Sequence, residues 1–542
     1  MPESLTLTLA QLNPTVGDLR ENAEKILDVW DESESDLVVF AEMALCGYPP
    51  EDLVLKPSFI NSIHSFVESI CEQSKDFKSA ALISCPWRIE DEVYNAALLI
   101  ENGQIVAVQP KHHLPNYGVF DEQRIFKAGP LPAPIDFRGY RLGILICEDM
   151  WYADVAAHLK AEGAELLIVP NASPFETTKD ETRLDIARAR AGETGLPLLY
   201  VNQVGGQDEL VFDGGSFVMD GEGNAVFQAA EFTEETHGIT FSGRRLSCPD
   251  SVPQFSPEEE LYKALVLGLK DYIEKNGFPG VLLGLSGGID SALSAAIAVD
   301  ALGPERVHCV MMPSPFTSEE SLIDAQDCAN ALGCPYETMP IDAAMEAFTS
   351  IIPGLSGIAH ENMQSRVRGL ILMALSNASG NMALSTGNKS EMAVGYATLY
   401  GDMNGGFNAL KDLYKMQVYA LSKWRNAHKP TGALGPGGVV IPENILTKVP
   451  TAELKENQRD QDSLPPYEEL DDILECLIEH DMAMDEICAR GHDEATVKQV
   501  WAMLDRAEYK RRQAPPGVKI TRRAFGRDRR YPITNKFFSN QE

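Results

Sequence analysis

The stretch "GLSGGIDSAL" at 284–293 joins an apolar run to a helical pattern through a Gly-rich turn. Phosphate-binding loops have this form. Gly287 and Gly288 let backbone N–H groups approach an anion closely, and the following helix adds the positive end of its dipole. No Lys stands where a G-x-x-x-x-G-K-[ST] loop would hold one. Asp290 is odd beside an anion, and it makes sense there if it holds Mg²⁺ against the phosphates. The simpler alternative is a plain strand-to-helix turn with a capping Asp.

A second group of reactive side chains lies in the first half of the chain. "RLGILICEDMW" (141–151) sets Cys147 at the end of an apolar strand. "DLVVFAEMALCGYPPEDL" (36–53) sets Glu42 after another, and Lys111 follows the strand-like 104–109 in "PKHHLPNYGVFDEQRIF". A nucleophile needs a base and a group that stabilises an oxyanion, and strand ends are where such groups gather in α/β sheets. His112 or His113 could instead serve as the base of a Cys–His pair. Cys147 could also be a buried structural thiol.

These groups need elements to hold them. In the first 245 residues or so, strand-like runs such as 5–12, 36–43, 79–87, 165–173 and 197–205 alternate with helical patterns at 20–33 and 184–196. Several runs are too apolar to be half exposed, which predicts sheets covered on both faces. "NGQ" (102–104) and "DGEGN" (220–224) signal hairpins. "SCPDSVPQFSPEEELYKAL" (247–265) marks a boundary, where a Ser N-cap, a Pro and acidic residues start a new helix. Strand 280–286, helix 291–302, strand 307–314 and helix 318–332 then form a βαβ unit of a parallel sheet. Helix 362–379, strand 382–388 and a mostly helical C-terminal part follow. The expected division is 1–246, a linker at 247–257, and 258–542.

With 542 residues the chain exceeds what one hydrophobic core supports. At 44% hydrophobic and 23% charged residues it has the composition of an ordinary globular protein. No apolar run reaches 18 residues, which excludes a spanning helix from the sequence. The start, "MPESLTLTLAQLNPTVGDL", carries neither a basic region nor a continuous apolar stretch, and the ten Cys are scattered. Both features lead us to expect a reducing cytoplasm and free thiols. A net charge of −34 argues against nucleic acid as a partner, and no membrane partner is expected. The acidity is uneven. Residues 510–536 hold ten Lys or Arg against the single acid Asp528, either as a solvated arm or as a local anion-binding segment.

The string S-G-G-x-D-S at 286–291 resembles the pyrophosphate loop of the N-type ATP pyrophosphatases, which cleave ATP between its α and β phosphates and adenylate a substrate. "ENMQSRVRGLILMALSN" (361–377), "STGNKSEMAVGYATLYGDMNGGFNALKDLYKMQVYALSKW" (385–424) and "KVPTAEL" (448–454) narrow the resemblance to the NAD synthetases, over most of 258–542. That resemblance implies ATP contacts at Gly284, Leu285, Ser286, Gly287, Gly288, Ile289, Asp290, Ser291, Thr386, Lys415 and Thr451. It implies contacts to deamido-NAD at Asn362, Arg366, Glu391, Asp402 and Lys510, and Mg²⁺ ligands at Asp290 and Glu391. The segments around Glu42, Lys111 and Cys147 resemble the Glu-Lys-Cys triad of the nitrilase superfamily, across roughly 4–245. This implies a Cys147 nucleophile, a Glu42 base and a Lys111 oxyanion cation, with Tyr117, Ser173 and Lys179 binding L-glutamine as in amidase domains fused to NAD synthetases.

Together the two resemblances imply an α/β protein. A nitrilase-like α-β-β-α sandwich is joined to a doubly wound parallel sheet of the adenine nucleotide α hydrolase-like kind. The implied chemistry hydrolyses glutamine, passes ammonia on, adenylates deamido-NAD with ATP and Mg²⁺, and amidates it to NAD with release of AMP and pyrophosphate. Free ammonia is mostly protonated near neutral pH and cannot then attack, so a donor and a shielded path are needed. Each half has an expected radius of gyration of about 18 Å, which sets the two sites tens of ångströms apart. Two alternatives stay open: a different carboxylate acceptor, or an inactive first half that only supports an ammonia-dependent synthetase. A homo-oligomer, dimer or larger, is expected from the family.

Overall fold

The strand Leu37–Phe40 is buried at every position, as its unbroken apolar sequence requires of a strand covered on both faces. The structure, a computed structural model, describes residues 4–243, 245–252 and 255–537. Its contacts divide the chain into two compact units, Met1–Gln254 and Phe255–Glu542.

In the first unit Leu37–Phe40 lies inside a seven-stranded sheet. Strands Arg245–Ser247, Glu235–Ser242 and Leu5–Gln11 lie on one side of it, and Ala80–Ile89, Glu92–Glu101 and Gln104–Pro110 on the other. A second sheet of six strands runs Ala225–Gln228, Phe217–Met219, Leu198–Asn202, Leu166–Asn171, Tyr140–Ile144 and Ile135–Phe137. Leu5, Leu7, Leu9, Leu37 and Val39 of the first sheet share one core with Leu142, Ile144, Leu166, Ile168 and Val201 of the second. Val38 and Phe40, pointing the other way, pack with Ile26, Trp30, Ile63 and Val67 of helices Leu19–Asp31 and Pro57–Gln73. Leu167, Val169 and Tyr200 pack with Leu159 and Ala187 of helices Ala153–Ala161 and Lys179–Thr194. The order of layers is therefore α-β-β-α. Each fully buried Leu or Val in it contributes about 1.5–3 kcal/mol.

The second unit is built on four parallel strands in the order Tyr336–Thr338, Val307–Met311, Val281–Gly284, Met382–Leu384. Numbered along the chain this order is 3-2-1-4, so the winding reverses between Val281–Gly284 and Met382–Leu384. In doubly wound sheets that reversal opens a crevice at the carboxyl ends of the two strands. The helix Ile289–Leu302, which follows the first of them, is buried at every residue except Asp290. A separate core of Leu470, Ile473, Leu474, Val497, Val500 and Leu504 holds the C-terminal helices together.

Several elements differ in extent from the sequence-based expectation. Strand 36–43 is shortened to Leu37–Phe40 and strand 307–314 to Val307–Met311, and helices 184–196 and 362–379 start earlier, at Lys179 and Ile358. Two further differences bear on the second unit's site. The strand expected over 382–388 stops at Leu384, because Asn388 leaves the sheet to cap the next helix, accepting from the Glu391 N–H at 3.0 Å. The helix expected from Ser291 starts at Ile289, with Gly288 as its N-cap. Within the expected linker, the Val252 N–H donates to the Gln228 carbonyl at 3.0 Å, and 253–254 lie outside the described residues.

Candidate active sites

In the first unit three strands end at one place. Lys111, one residue past Gln104–Pro110, is wholly buried with its ammonium 2.7 Å from Glu42 Oε1 and 2.9 Å from Glu122 Oε1. Glu42 follows Leu37–Phe40. Its Oε1 also accepts from Asn95 Nδ2 at 2.6 Å, and its Oε2 accepts from the Ala172 N–H at 3.1 Å. Tyr48 donates to Glu122 Oε1 at 2.8 Å. Cys147 opens a 3-10 turn three residues beyond Tyr140–Ile144, with a left-handed φ of 47° that a non-glycine residue adopts at a cost. Its carboxylate and ammonium neighbours are Glu42, Lys111, Glu148 and Glu122.

Asp149 ties these strand ends together. One carboxylate oxygen accepts from the N–H groups of His112 and His113 at 3.1 and 2.7 Å, and the other accepts from Ile146 at 3.0 Å. The residues next to Lys111 and next to Cys147 thus share one buried anion. Each ring of the Cys–His alternative has one nitrogen engaged elsewhere. His112 Nδ1 lies 2.7 Å from the Gly129 carbonyl, and His113 Nε2 lies 2.9 Å from Asp154.

Burial, reinforced by Glu42 and only partly opposed by Lys111, pushes the Cys147 thiol well above its ordinary value. Burial works against the Lys111 ammonium, yet Glu122 and Glu42 outweigh it and raise Lys111 above its ordinary value. Glu122 is lifted to about 7, first by burial, with Lys111 opposing. A neutral thiol beside a fixed cation and two carboxylates can do nucleophilic chemistry if one carboxylate takes the thiol proton.

Around this cluster, Tyr117 is half exposed and donates to Glu148 Oε2 at 2.9 Å. Ser173 is buried, with Oγ accepting from Arg183 Nε at 3.2 Å. Lys179 stands 3.6 Å from Glu176 and over the Phe120 ring. Sequence reasoning missed Glu122. The signal was weak: Glu122 stands between Asp121 and Gln123 in the same stretch as Lys111, and nothing in the spacing tells which acid folds back onto it.

In the second unit a cavity of about 290 Å³ occupies the crevice where the strand order reverses. Gly284, Leu285, Ser286, Gly288, Ile289, Asp290 and Ser291 line it, as do Thr386, Glu391, Asp402, Lys415 and Thr451. The loop is closed by its own side chains: the Gly288 N–H donates to Ser286 Oγ at 3.2 Å, and Ser291 Oγ to the Gly288 carbonyl at 3.0 Å. Gly287 has φ +77°, and a Cβ there would meet the Ser321 carbonyl oxygen at 2.4 Å, so no side chain fits.

Lys415 joins the acids of the cavity. Its ammonium is 2.5 Å from Asp290 Oδ2 and 3.1 Å from Glu391 Oε1, and Asn388 donates to Asp290 Oδ1 at 2.7 Å. Burial lifts Glu391 to about 8 against the pull of Lys415, and burial also raises Asp402. Asp290 and Glu391 converge on one small cation. Two hard carboxylates are what Mg²⁺ takes beside phosphate oxygens, so the pair fits that ion.

Four of the expected contacts lie outside the cavity lining: Gly287, Asn362, Arg366 and Lys510. Asn362 accepts from Thr398 Oγ1 at 3.0 Å, and the exposed Arg366 donates to the Leu399 carbonyl at 3.2 Å. Lys510 donates to the Gly395 and Ala397 carbonyls, both at 2.7 Å. Arg368 and Asp460 line the cavity and were missed. Residues two apart on a helix are rotated by about 200°, so Arg366 and Arg368 face opposite ways although sequence makes them look equivalent. The basic C-terminal segment is not a uniformly solvated arm, since Arg511, Lys519 and Arg529 are buried. Arg511 and Arg529 pair with Glu508, and Lys519 lies 3.7 Å from Asp528.

The geometry agrees with what comparison with known proteins finds. Residues 6–241 match the carbon-nitrogen hydrolase family and residues 261–514 the NAD synthase family. A glutamine-dependent NAD(+) synthetase of Rhodobacter capsulatus is 48% identical over 549 residues, covering 99% of this chain and 99% of its own. One from Thermotoga maritima is 42% identical, covering 98% and 99%. The structure of a glutamine-dependent NAD+ synthetase from Acinetobacter baumannii in complex with ADP, 40% identical, covers 98% of this chain and 99% of its own, with a TM-score of 0.78. With likeness of this degree along its whole length, the chain belongs to the glutamine-dependent NAD(+) synthetases, ATP-dependent ligases that join a carbon-nitrogen hydrolase half to an NAD synthase half.

Proposed function

We propose that residues 1–246 hydrolyse glutamine at Cys147 and that residues 258–542 use the ammonia to convert deamido-NAD to NAD. The observation that carries this reading is Lys111 buried between two carboxylates at the strand ends that also carry Cys147 and Glu42. Glu42 takes the Cys147 proton as sulfur bonds to the amide carbon of glutamine. Lys111 stabilises the oxyanion, which requires it to remain an ammonium, and its two acidic neighbours favour that. The amide nitrogen leaves as ammonia with the proton held by Glu42. Water, deprotonated by the same carboxylate, attacks the thioester and frees glutamate. Tyr117, Ser173 and Lys179 hold the rest of the glutamine.

In the second unit the carboxylate of deamido-NAD attacks the α-phosphorus of ATP, and pyrophosphate leaves toward loop 284–291. ATP as the nucleotide is supported by the ADP complex of the Acinetobacter baumannii relative. Thr386, Lys415 and Thr451 belong to the ATP side of the cavity. Asn362, Arg366, Asp402 and Lys510 belong to the dinucleotide side, together with Glu391. Asp290 and Glu391 would hold Mg²⁺, which supplies charge neutralisation on the phosphates when bound. Ammonia then attacks the adenylate carbonyl and AMP leaves. We expect a homo-oligomer in the cytoplasm; among the described residues no helix is long and apolar enough to cross a membrane.

Product analysis tests the reading. With glutamine, ATP and deamido-NAD supplied, glutamate, NAD, AMP and pyrophosphate should form together. ADP and orthophosphate in their place would overturn the loop assignment. NAD formed only from ammonium salts, with no glutamate from glutamine, would overturn the amidase assignment.

A further inference from the structure

Outside the two sites, His112, His113 and Asp154 each offer one metal-ligating atom, and these atoms lie within 4.8 Å of one another. Among the described residues no other set of three His, Cys, Asp or Glu does so. Asp154 is exposed and both imidazoles are partly buried, so an ion could reach the group from solvent.

A hydrogen bond orients the His112 ring for ligation. His112 Nδ1 lies 2.7 Å from the Gly129 carbonyl oxygen, which can only accept. Nδ1 therefore carries the hydrogen and Nε2 the lone pair. That is how ligating histidines are commonly fixed, with the second nitrogen donating to a carbonyl or carboxylate. His113 stacks on Tyr152 at a centroid distance of 4.2 Å and meets the His112 ring edge-on at 4.6 Å. Its Nε2 lies 2.9 and 3.1 Å from the two carboxylate oxygens of Asp154 and so donates to them when no ion is bound. An ion between the two groups takes the place of that hydrogen, which moves to Nδ1 or to solvent. Ligands about 2.0–2.1 Å from a tetrahedral zinc ion stand roughly 3.3 Å apart, so the His113–Asp154 pair is already close to ligating separation.

We propose that His112, His113 and Asp154 form a binding site for a divalent transition ion of the zinc class, held by two imidazole nitrogens and one carboxylate with a position left to solvent. Two imidazoles select zinc, cobalt or nickel over magnesium or calcium, which prefer all-oxygen ligands. The ion would also brace the fold. His112 and His113 follow the first sheet's last strand, whereas Asp154 sits on the helix Ala153–Ala161 that covers the second sheet. Binding to the folded state alone raises stability by mass action.

Co²⁺ titration of the full-length protein, followed by displacement with Zn²⁺, is the test. With excess Mg²⁺ present to fill the Asp290–Glu391 pair, the wild type should bind a single Co²⁺ with visible ligand-field bands and no thiolate charge-transfer band, and Zn²⁺ should raise its thermal midpoint. His113→Ala and Asp154→Asn should each weaken Co²⁺ binding by at least the roughly 10–100-fold that loss of an outer-shell partner costs. Asp154 is exposed, and its Asn variant keeps an oxygen for the Val155 N–H, so folding is preserved. A wild type without saturable binding, affinity unchanged in both variants, or a thiolate band marking a cysteine site would each overturn the proposal.

Discussion

Lys111 Nζ lies 2.7 Å from Glu42 Oε1, and neither side chain has any exposure to solvent. A buried ammonium and its partner cannot be separated cheaply: removing one member of such a pair destabilises by about 3–5 kcal/mol because the other charge is left uncompensated. Their contact gives the amidase a cation that cannot drift and a carboxylate held by three donors.

Lys111→Met should therefore lower glutamine hydrolysis by at least the roughly 10²–10³-fold of a lost oxyanion donor. Ammonia-supported NAD formation should continue. His112→Ala and His113→Ala should have far smaller effects, since their ring bonds run to Gly129 and Asp154. Steady-state glutaminase rates decide. A collapse with either histidine variant and tolerance at Lys111 would favour a Cys–His mechanism.

Glu122 ties stability to pH. Burial raises its folded-state value to about 7 from an ordinary 4.5, so the folded protein binds this proton more tightly than the unfolded chain. Its stabilising contribution is present below the ordinary value and is lost as pH rises through about 7. Glu122→Gln is neutral throughout and should lack that slope. Thermal midpoints compared between about pH 5 and about pH 8 should therefore move in favour of the variant as pH rises, and a constant difference would contradict the assignment.

Gly287→Ala should cripple NAD formation from either nitrogen donor and leave glutaminase activity in place. The new Cβ meets the Ser321 carbonyl at 2.4 Å, and φ +77° is unfavourable for alanine, a backbone cost of about 1–3 kcal/mol before the clash. Separate assays of pyrophosphate release and glutamate release check this, and unimpaired pyrophosphate release would show that the loop is not tightly constrained.

Parts of this architecture were legible because local pattern and fold agree. "LVVF" reads as part of a doubly covered strand, and "SGGIDS" between an apolar run and a helix reads as a tight turn at a strand end. Glu42, Lys111 and Cys147 were visible because each follows its own strand. Glu122 was not visible, because a loop brings it back to Lys111 and loops carry no periodicity. Arg368 was hidden by the helix phase that turns Arg366 away. The C-terminal cations could not be told apart in the sequence, since composition counts charges and cannot show that Arg511 and Arg529 pair with Glu508.

Lys510 donates to the Gly395 and Ala397 carbonyls, and Ala397 lines the cavity. Lys510→Ala should raise the KM for deamido-NAD with glutaminase activity unchanged. Losing a charged hydrogen bond costs about 1.5–3 kcal/mol, roughly a 10–100-fold change. Titration of deamido-NAD at saturating ATP and ammonium measures it, and an unaltered KM would remove Lys510 from the binding side of the cavity.

On the proposed mechanism one chain carries two chemistries joined only by ammonia, with Cys147 as the sole entry for glutamine nitrogen. Cys147→Ala tests it most directly, assayed for NAD formation with glutamine and, separately, with ammonium. We predict no NAD above background from glutamine and a near wild-type rate from ammonium. A near wild-type rate from glutamine, or loss of both activities in a folded variant, would contradict the account.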